Sequence, residues 1–136
     1  MKIVLFACVH NAGRSQMAAA VFNHLADPTR AHAISAGTQP AAKVHPEVVE
    51  VMRELGVELA SVVPVKLTDE LAATADVLVT MGCGEACPVV PGIARDDWPL
   101  EDPKGLSLER VLRIRADVER RVRQLLLCRG WLRSGS

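Results

Sequence analysis

Residues 1–18 read MKIVLFACVHNAGRSQMA, and the parsing of this stretch decides the fold. Lys2–Ala7 is a near-continuous apolar run, the pattern of a strand covered on both faces. Ser15–Leu25 (SQMAAAVFNHL) is rich in helix formers, with Met17, Val21 and Leu25 four residues apart. Cys8, a few small and polar residues, and Arg14 lie between them. The stretch reads strand–loop–helix, with a cysteine where the strand ends and an arginine where the helix begins.

The same alternation continues outward. Ala31–Ala36 (AHAISA) predicts a second strand, closed by Gly37. Pro46 sits in the first turn of a helix whose apolar stripe is Val48, Val49, Met52 and Leu55, with Gly56 as its stop. Thr68 caps a short helix over 68–75, with Asp69 and Glu70 in its first turn. Asp76–Met81 (DVLVTM) is a third buried strand. Residues 82–92 (GCGEACPVVPG) are loop by their Gly and Pro content, and 93–98 hold a short fourth strand. Ser107 caps a last helix running to about Leu127, with the stripe Leu108, Val111, Leu112, Arg115, Val118, Val122, Leu125 and Leu126. Strands alternating with helices predict an α/β fold built on a parallel sheet. In such sheets ligands bind at the carboxyl ends of the strands. Cys8 follows the first strand and Cys83 the third, so both fall on that rim.

The chain has 136 residues, and we read 1–136 as a single domain. Hydrophobic residues make up 49%, which argues against disorder. Sixteen basic and sixteen acidic residues cancel, so no basic excess points to nucleic acid. Arg110, Arg113, Arg115, Arg120, Arg121 and Arg123 interleave with Glu109, Asp117 and Glu119, the pattern of a solvated helix face. No apolar run approaches the roughly 18 residues a membrane helix needs. The N-terminal run lacks a signal-peptide cleavage pattern. The expected location is the cytoplasm, where thiols stay reduced and four cysteines are either fillers or chemistry.

Val9, His10, Asn11, Ala12, Gly13 and Arg14 form a loop of the kind that cradles anions. Its backbone N–H groups turn inward, and the helix N-terminus adds positive potential. Arg14 supplies a planar fork matched to a tetrahedral oxyanion. The same field favours the thiolate of Cys8, making it a nucleophile. Ser15 can hold that thiolate and Asn11 can brace the loop. The competing reading, Cys8 as a small buried hydrophobe, does not account for Asn11, Gly13, Arg14 and Ser15 beside it.

CVHNAGRS resembles the phosphate-binding loop of low-molecular-weight protein tyrosine phosphatases and of the arsenate reductases built on that fold, and Gln16-Met17-Ala18 resembles the reductase branch. The likeness extends over AISAGTQPA (33–41), HPEVVEVMRELG (45–56), TMGCGEACP (80–88) and DDWPLEDPKG (96–105). It implies a three-layer sandwich on a four-stranded parallel sheet. It also implies a general acid directly before a proline, here Asp102 in Asp102-Pro103, which protonates the leaving oxygen. Asp96 and Asp97 are the competing acids, and LEDPKG could also be only a turn.

Cys83 and Cys87 separate the two branches. A phosphatase hydrolyses its cysteinyl-phosphate with water. A reductase must supply two electrons, which two thiols becoming a disulfide provide. The resemblance implies that Cys8 attacks arsenate, that Cys83 then attacks Cys8 with release of arsenite, and that Cys87 attacks Cys83. This leaves Cys83–Cys87 for an external reductant, thioredoxin. Phosphate and sulfate would compete as oxyanions. On one helical turn the two Cβ atoms would be roughly 5–6 Å apart, against the roughly 3.8 Å a disulfide needs. We therefore expect 82–92 to be mobile and redox-sensitive. Thioredoxin-coupled relatives often space these cysteines more widely, which keeps mycothiol and glutaredoxin open as reductants. A zinc half-site at Cys-x3-Cys lacks a second pair, and the four histidines show no ligand spacing. No metal and no cofactor is expected. The glutamate and aspartate with which some relatives hold potassium correspond to Ala19 and Val65. Cys128 is a filler of core or surface. The alternatives are a phosphatase acting on phosphomonoesters and a non-catalytic oxyanion sensor.

Overall fold

The N-terminal apolar run forms β1 (Lys2–Cys8), which has a parallel neighbour on each side. The computed structural model describes residues 1–82 and 92–134. β2 (Ala31–Gly37) runs along one edge of β1, from Ala31 beside Lys2 to Gly37 beside Cys8. β3 (Val77–Thr80) lies along the other, from Val77 beside Val4 to Thr80 beside Ala7. β4 (Ala94–Asp97) extends β3, giving the order β2-β1-β3-β4 with every pair parallel. Cys8 is the last residue of its strand rather than the first beyond it.

Among the described residues four helices cover this sheet: α1 (Arg14–Leu25), α2 (Pro46–Arg53), α3 (Asp69–Ala73) and α4 (Leu108–Arg129). Period-two alternation along β1 sorts the two faces. Val4, Phe6 and Cys8 enter the larger core with Met17, Val21 and Phe22 of α1, Val48 and Met52 of α2, and Val118 and Val122 of α4. Leu5 and Ala7 point the other way, into a smaller cluster with Leu78, Ala36, Leu67 and Ala72. The result is the expected three-layer α/β sandwich. Burying each large side chain of the kind found here contributes roughly 1.5–3 kcal/mol.

Two polar devices tie layers together. The Asn23 side chain of α1 pairs with both backbone groups of Ala33 on edge strand β2, donating to its carbonyl at 3.0 Å and accepting from its N–H at 2.8 Å. The Asp76 carboxylate accepts from Ile3 N–H at 2.8 Å while its own N–H donates to Ile3. Both satisfy backbone groups that the short ladder leaves over.

The last helix departs from the expected pattern. Ser107 caps it through Arg110 N–H, but it runs two residues past Leu127 and ends at Gly130, whose φ of 73° is left-handed. Leu108, assigned to the buried stripe, is instead exposed, and Ile114 is buried in the apolar row. A stripe position in the first turn of a helix overhangs the end of the layer it packs on, so periodicity alone overextends there. Arg115 earns its place among apolar neighbours by crossing to α2. Its Nη1 donates to Val51 O at 2.7 Å, in the last turn of α2, and its guanidinium pairs with Glu54 and Glu119. Arg110, Arg113, Arg120 and Arg121 pair with Glu101, Glu109 and Asp117 on the solvent side. Cys128 is exposed, which decides between core and surface.

Candidate active site

Between β1 and α1 the chain turns its carbonyls outward. Cys8 O accepts from Thr38 N–H at 3.1 Å, Val9 O from Gln39 at 2.8 Å, His10 O from Ala41 at 2.9 Å, and Ala12 O from His45 at 2.9 Å. Gly13 O accepts from Met17 N–H at 2.9 Å, starting the helix. With these carbonyls engaged, the N–H groups of Val9 through Ser15 have no acceptor among the described residues. A run of unpaired amides at a helix N-terminus is an anion cradle. Asn11 makes the curl possible with φ of 49°, left-handed backbone that asparagine tolerates better than most residues. Gly37 must lack a side chain, because a Cβ there would stand 2.5 Å from Val9 O and 2.8 Å from Asn11 N.

Cys8 forms the floor and is only 2% exposed. Its Sγ is 2.9 Å from Ser15 Oγ, and Ser15 Oγ in turn accepts from Asn11 Nδ2 at 2.7 Å. Arg14 is nearly buried, with Nη1 3.4 Å from Leu100 O and Nη2 3.9 Å from Asp102 Oδ2. Among the described residues this buried guanidinium has one long hydrogen bond and one distant carboxylate, which keeps donors available for a tetrahedral anion. Gly82, two residues beyond β3 and with φ of 96°, lies against it: a Cβ on Gly82 would fall 2.4 Å from Arg14 Nη1.

Asp102 is held over the cradle by its neighbours. Its Oδ1 accepts from Lys104 N–H at 3.1 Å, and Glu47 of α2 accepts from Gly105 N–H at 3.3 Å. Pro103 is buried against Gly13, where a Cβ would approach Pro103 Cγ to 2.5 Å. The proline ring cannot rotate away as a long side chain would. Gly13→Ala should therefore lift the Asp102-Pro103 turn and lower turnover about 100-fold, since a misplacement of about 1 Å carries that order of cost. Inhibition by phosphate should weaken far less, because Gly13 bears no side chain toward the anion. Steady-state rates and phosphate inhibition constants check this, and an unchanged turnover rate would break the link between Pro103 packing and the acid.

Asp96 and Asp97 are committed elsewhere. Asp96 Oδ2 accepts from Trp98 Nε1 at 3.0 Å, and Asp97 Oδ1 from the Thr80 hydroxyl at 2.8 Å. Asp102 is the carboxylate paired with Arg14. Cys83 and Cys87, and most of the segment expected to be mobile, lie outside the described residues. The Ala19 position is buried and Val65 is half-exposed. Among the described residues no cluster of His, Cys, Asp or Glu is arranged to hold a metal.

Sequence reasoning passed over two neighbours of the cradle. Gln16 is buried in the first turn of α1 and bonds to Asn11. His45 precedes α2 and approaches Gly13. Burial holds the His45 imidazole below its usual pKa, and His10 and Lys104 push the same way, while Asp102 and Glu47 oppose them. A helix-opening HP dipeptide was the sole signal for His45, and the polar residue within an apolar helix face was the signal for Gln16.

The aromatic side chains are absorbed by the core. The chain has two Phe, two Trp and no Tyr. Trp98 packs on Phe6 at 5.5 Å between centroids, Phe6 on Phe22 at 6.0 Å, and Phe22 on Trp131 at 6.4 Å. This continuous row leaves no aromatic wall for a phenyl ring at the cradle mouth. Among the described residues no helix is long and apolar enough to cross a membrane.

Comparison with known proteins gives the chain a family and a set of relatives. Residues 3–132 match the family model described as low molecular weight phosphotyrosine protein phosphatase. A thioredoxin-dependent arsenate reductase structure from Corynebacterium glutamicum superposes with a TM-score of 0.81 at 39% identity, covering 94% of this chain and 61% of that one. A glutaredoxin arsenate reductase from Synechocystis is 33% identical over 129 residues, 93% of this chain and 97% of its own. An arginine phosphatase from Geobacillus stearothermophilus is more distant, at 26% identity and a TM-score of 0.75, covering 92% and 90%.

Proposed function

The chain belongs to the low molecular weight phosphotyrosine protein phosphatase family, and within it we propose that residues 1–136 form one catalytic unit that reduces arsenate to arsenite. The observation that carries this reading is the buried Cys8 thiol under amides that have no acceptor among the described residues, with Arg14 beside it and Asp102 3.9 Å from that guanidinium. Arsenate enters as a dianion and meets the amides and Arg14. The Cys8 thiolate attacks arsenic and an oxygen departs as water with the Asp102 proton, leaving a Cys8–arsenic(V) bond. The Cys83 thiolate then attacks Cys8 sulfur. The sulfur–arsenic bond breaks, its electron pair stays on arsenic, and arsenite leaves as Cys8–Cys83 forms. Cys87 attacks Cys83 and frees Cys8 as thiolate. An external dithiol reduces Cys83–Cys87.

Three considerations favour reduction over phosphomonoester hydrolysis. Cys83 and Cys87 supply two electrons that hydrolysis does not need. Cys83 follows directly on Gly82, the glycine packed against Arg14. The aromatic row sits inside the core rather than at the site. The phosphatase reading is favoured by the family's name and by the arginine phosphatase relative. Thioredoxin is the proposed reductant and the cytoplasm the proposed location. One relative's name specifies thioredoxin and another's glutaredoxin, so the reductant has to be tested directly.

The test mixes this protein with thioredoxin, thioredoxin reductase, NADPH and arsenate, and quantifies arsenite. NADPH oxidation that requires every component and matches arsenite mole for mole is the expected result. Oxidation only with glutaredoxin or mycothiol would replace the reductant. Failure with all three, together with hydrolysis of an aryl phosphate, would overturn the reductase reading in favour of the phosphatase.

A further inference from the structure

The hydrogen bonds around Asn11 have a direction, and that direction is fixed at both ends by backbone groups. Gln16 Nε2 lies 3.1 Å from Asn11 O and 3.0 Å from Asn11 Oδ1. A backbone carbonyl can only accept, so the Gln16 amide must present its NH2 to Asn11. Val65 N–H donates to Asn11 Oδ1 at 2.9 Å. A backbone N–H can only donate, so the Asn11 amide must present its oxygen toward Val65 and Gln16. Its NH2 is then turned to Ser15 Oγ, 2.7 Å away. Ser15 Oγ accepts that bond, which leaves its single proton for Cys8 Sγ at 2.9 Å.

The geometry points to Gln16 as a positioning residue for the nucleophile: it clamps Asn11 so that the Ser15 hydroxyl donates to Cys8 rather than accepting from it. A hydroxyl that donates holds a thiolate, whereas one that accepts holds a thiol. The clamp closes a ring on Asn11, whose φ of 49° is not the default for a side-chain-bearing residue. All four side chains are buried, so water cannot readily stand in for a lost partner. Without the Gln16 NH2, Asn11 Oδ1 keeps, among the described residues, only the N–H of Val65, a half-exposed residue across the loop, and the Asn11 amide gains freedom to turn. The inference rests on Cys8 being the nucleophile of the proposed reaction, yet it concerns the thiol alone and can be read without arsenate.

The experiment measures alkylation of Cys8 by iodoacetamide across pH, in a background where Cys83, Cys87 and Cys128 are serine. Gln16→Met keeps volume and removes the donor. It should slow alkylation at pH 7 about tenfold, the order expected when a charge-assisted hydrogen bond is disturbed, and should displace the alkylation profile toward higher pH. The decisive comparison repeats the substitution in Ser15→Ala. If Gln16 acts through the Ser15 hydroxyl, Gln16→Met has no further effect there. Additive effects, or Gln16→Met alkylated as fast as its parent while folded by circular dichroism, would overturn the inference. A purely structural role would lower the melting temperature and leave the profile in place. Should Gln16→Met fail to fold, Gln16→Glu is read in its stead. Its carboxylate opposes both Asn11 oxygens, and protonation at low pH restores one donor. Its deficit should therefore shrink as pH falls, and a deficit independent of pH would count against the clamp. The expected slowing of Cys8 alkylation by Gln16→Met, together with no arsenate reduction by the unsubstituted protein, would retain the clamp and overturn the reductase reading alone.

Discussion

Cys8→Ser abolishes arsenate reduction and any aryl phosphate hydrolysis together, with a loss on the order of 10⁴-fold or more in each, the scale seen when an enzyme's nucleophile is deleted. Both reactions begin with sulfur displacing an oxygen at a tetrahedral centre, and serine at this position has no base beside it. Ser15 and Asn11 beside it are neutral groups too weakly basic to take its proton, and Arg14 is already a cation. The fold should be untouched, since serine is close to cysteine in volume and Ser15 Oγ remains as a partner. Phosphate should also bind nearly as before, because the amides of 9–15 and Arg14 make the cradle and Cys8 only floors it. The checks are initial rates on both substrates and phosphate binding by calorimetry. Retained turnover would sink the nucleophile assignment. Lost phosphate binding would mean that the thiolate helps organise the loop before substrate arrives.

What the sequence disclosed about this molecule has a physical pattern. β1 was legible because a strand covered on both faces is apolar throughout, and Val4 to Cys8 are all buried. The cradle was legible because its chemistry needs particular residue types at consecutive positions: Gly13 beneath Pro103, Asn11 with positive φ, Arg14 at the helix start. The fourth strand was harder. Ala94–Asp97 is exposed along its length and carries two acids and an arginine, so neither run nor alternation marks it. Its place comes from pairing with β3, a tertiary fact. Leu108 was misassigned because periodicity does not report where the underlying layer stops. Gln16 and Arg115 share one lesson. Each is polar on an apolar face, and each bonds to residues that sequence order does not bring together: Gln16 to an Asn11 itself held by Val65, Arg115 to the end of α2. A helical stripe identifies such a residue as an exception but not what it reaches.

The burial of Cys8 also decides why a single cysteine would not suffice, and this yields the second large effect. At 2% exposure its sulfur is out of reach of a protein-sized dithiol, so a disulfide at Cys8 must be passed outward before it can be reduced. Cys87→Ala, made together with Cys128→Ser to remove the exposed thiol on α4, should release about one arsenite per chain and then stop. The two electrons of that single round come from Cys8 and Cys83, and no intramolecular thiol remains to resolve their disulfide. Quenched-flow arsenite measurements should show the burst without a steady state. Peptide mapping of the stalled protein should recover Cys8 linked to Cys83. Phosphate ester hydrolysis, where the family's phosphatase chemistry persists, should survive in the same variant before arsenate is added and vanish afterwards, because the disulfide consumes the nucleophile. Sustained thioredoxin-driven turnover in Cys87→Ala would refute the outward relay, since it would require the reductant to reach a Cys8–Cys83 bond whose Cys8 sulfur is enclosed. A burst absent from Cys87→Ala but present in Cys83→Ala would reverse the order of the two cysteines and leave the electron count intact.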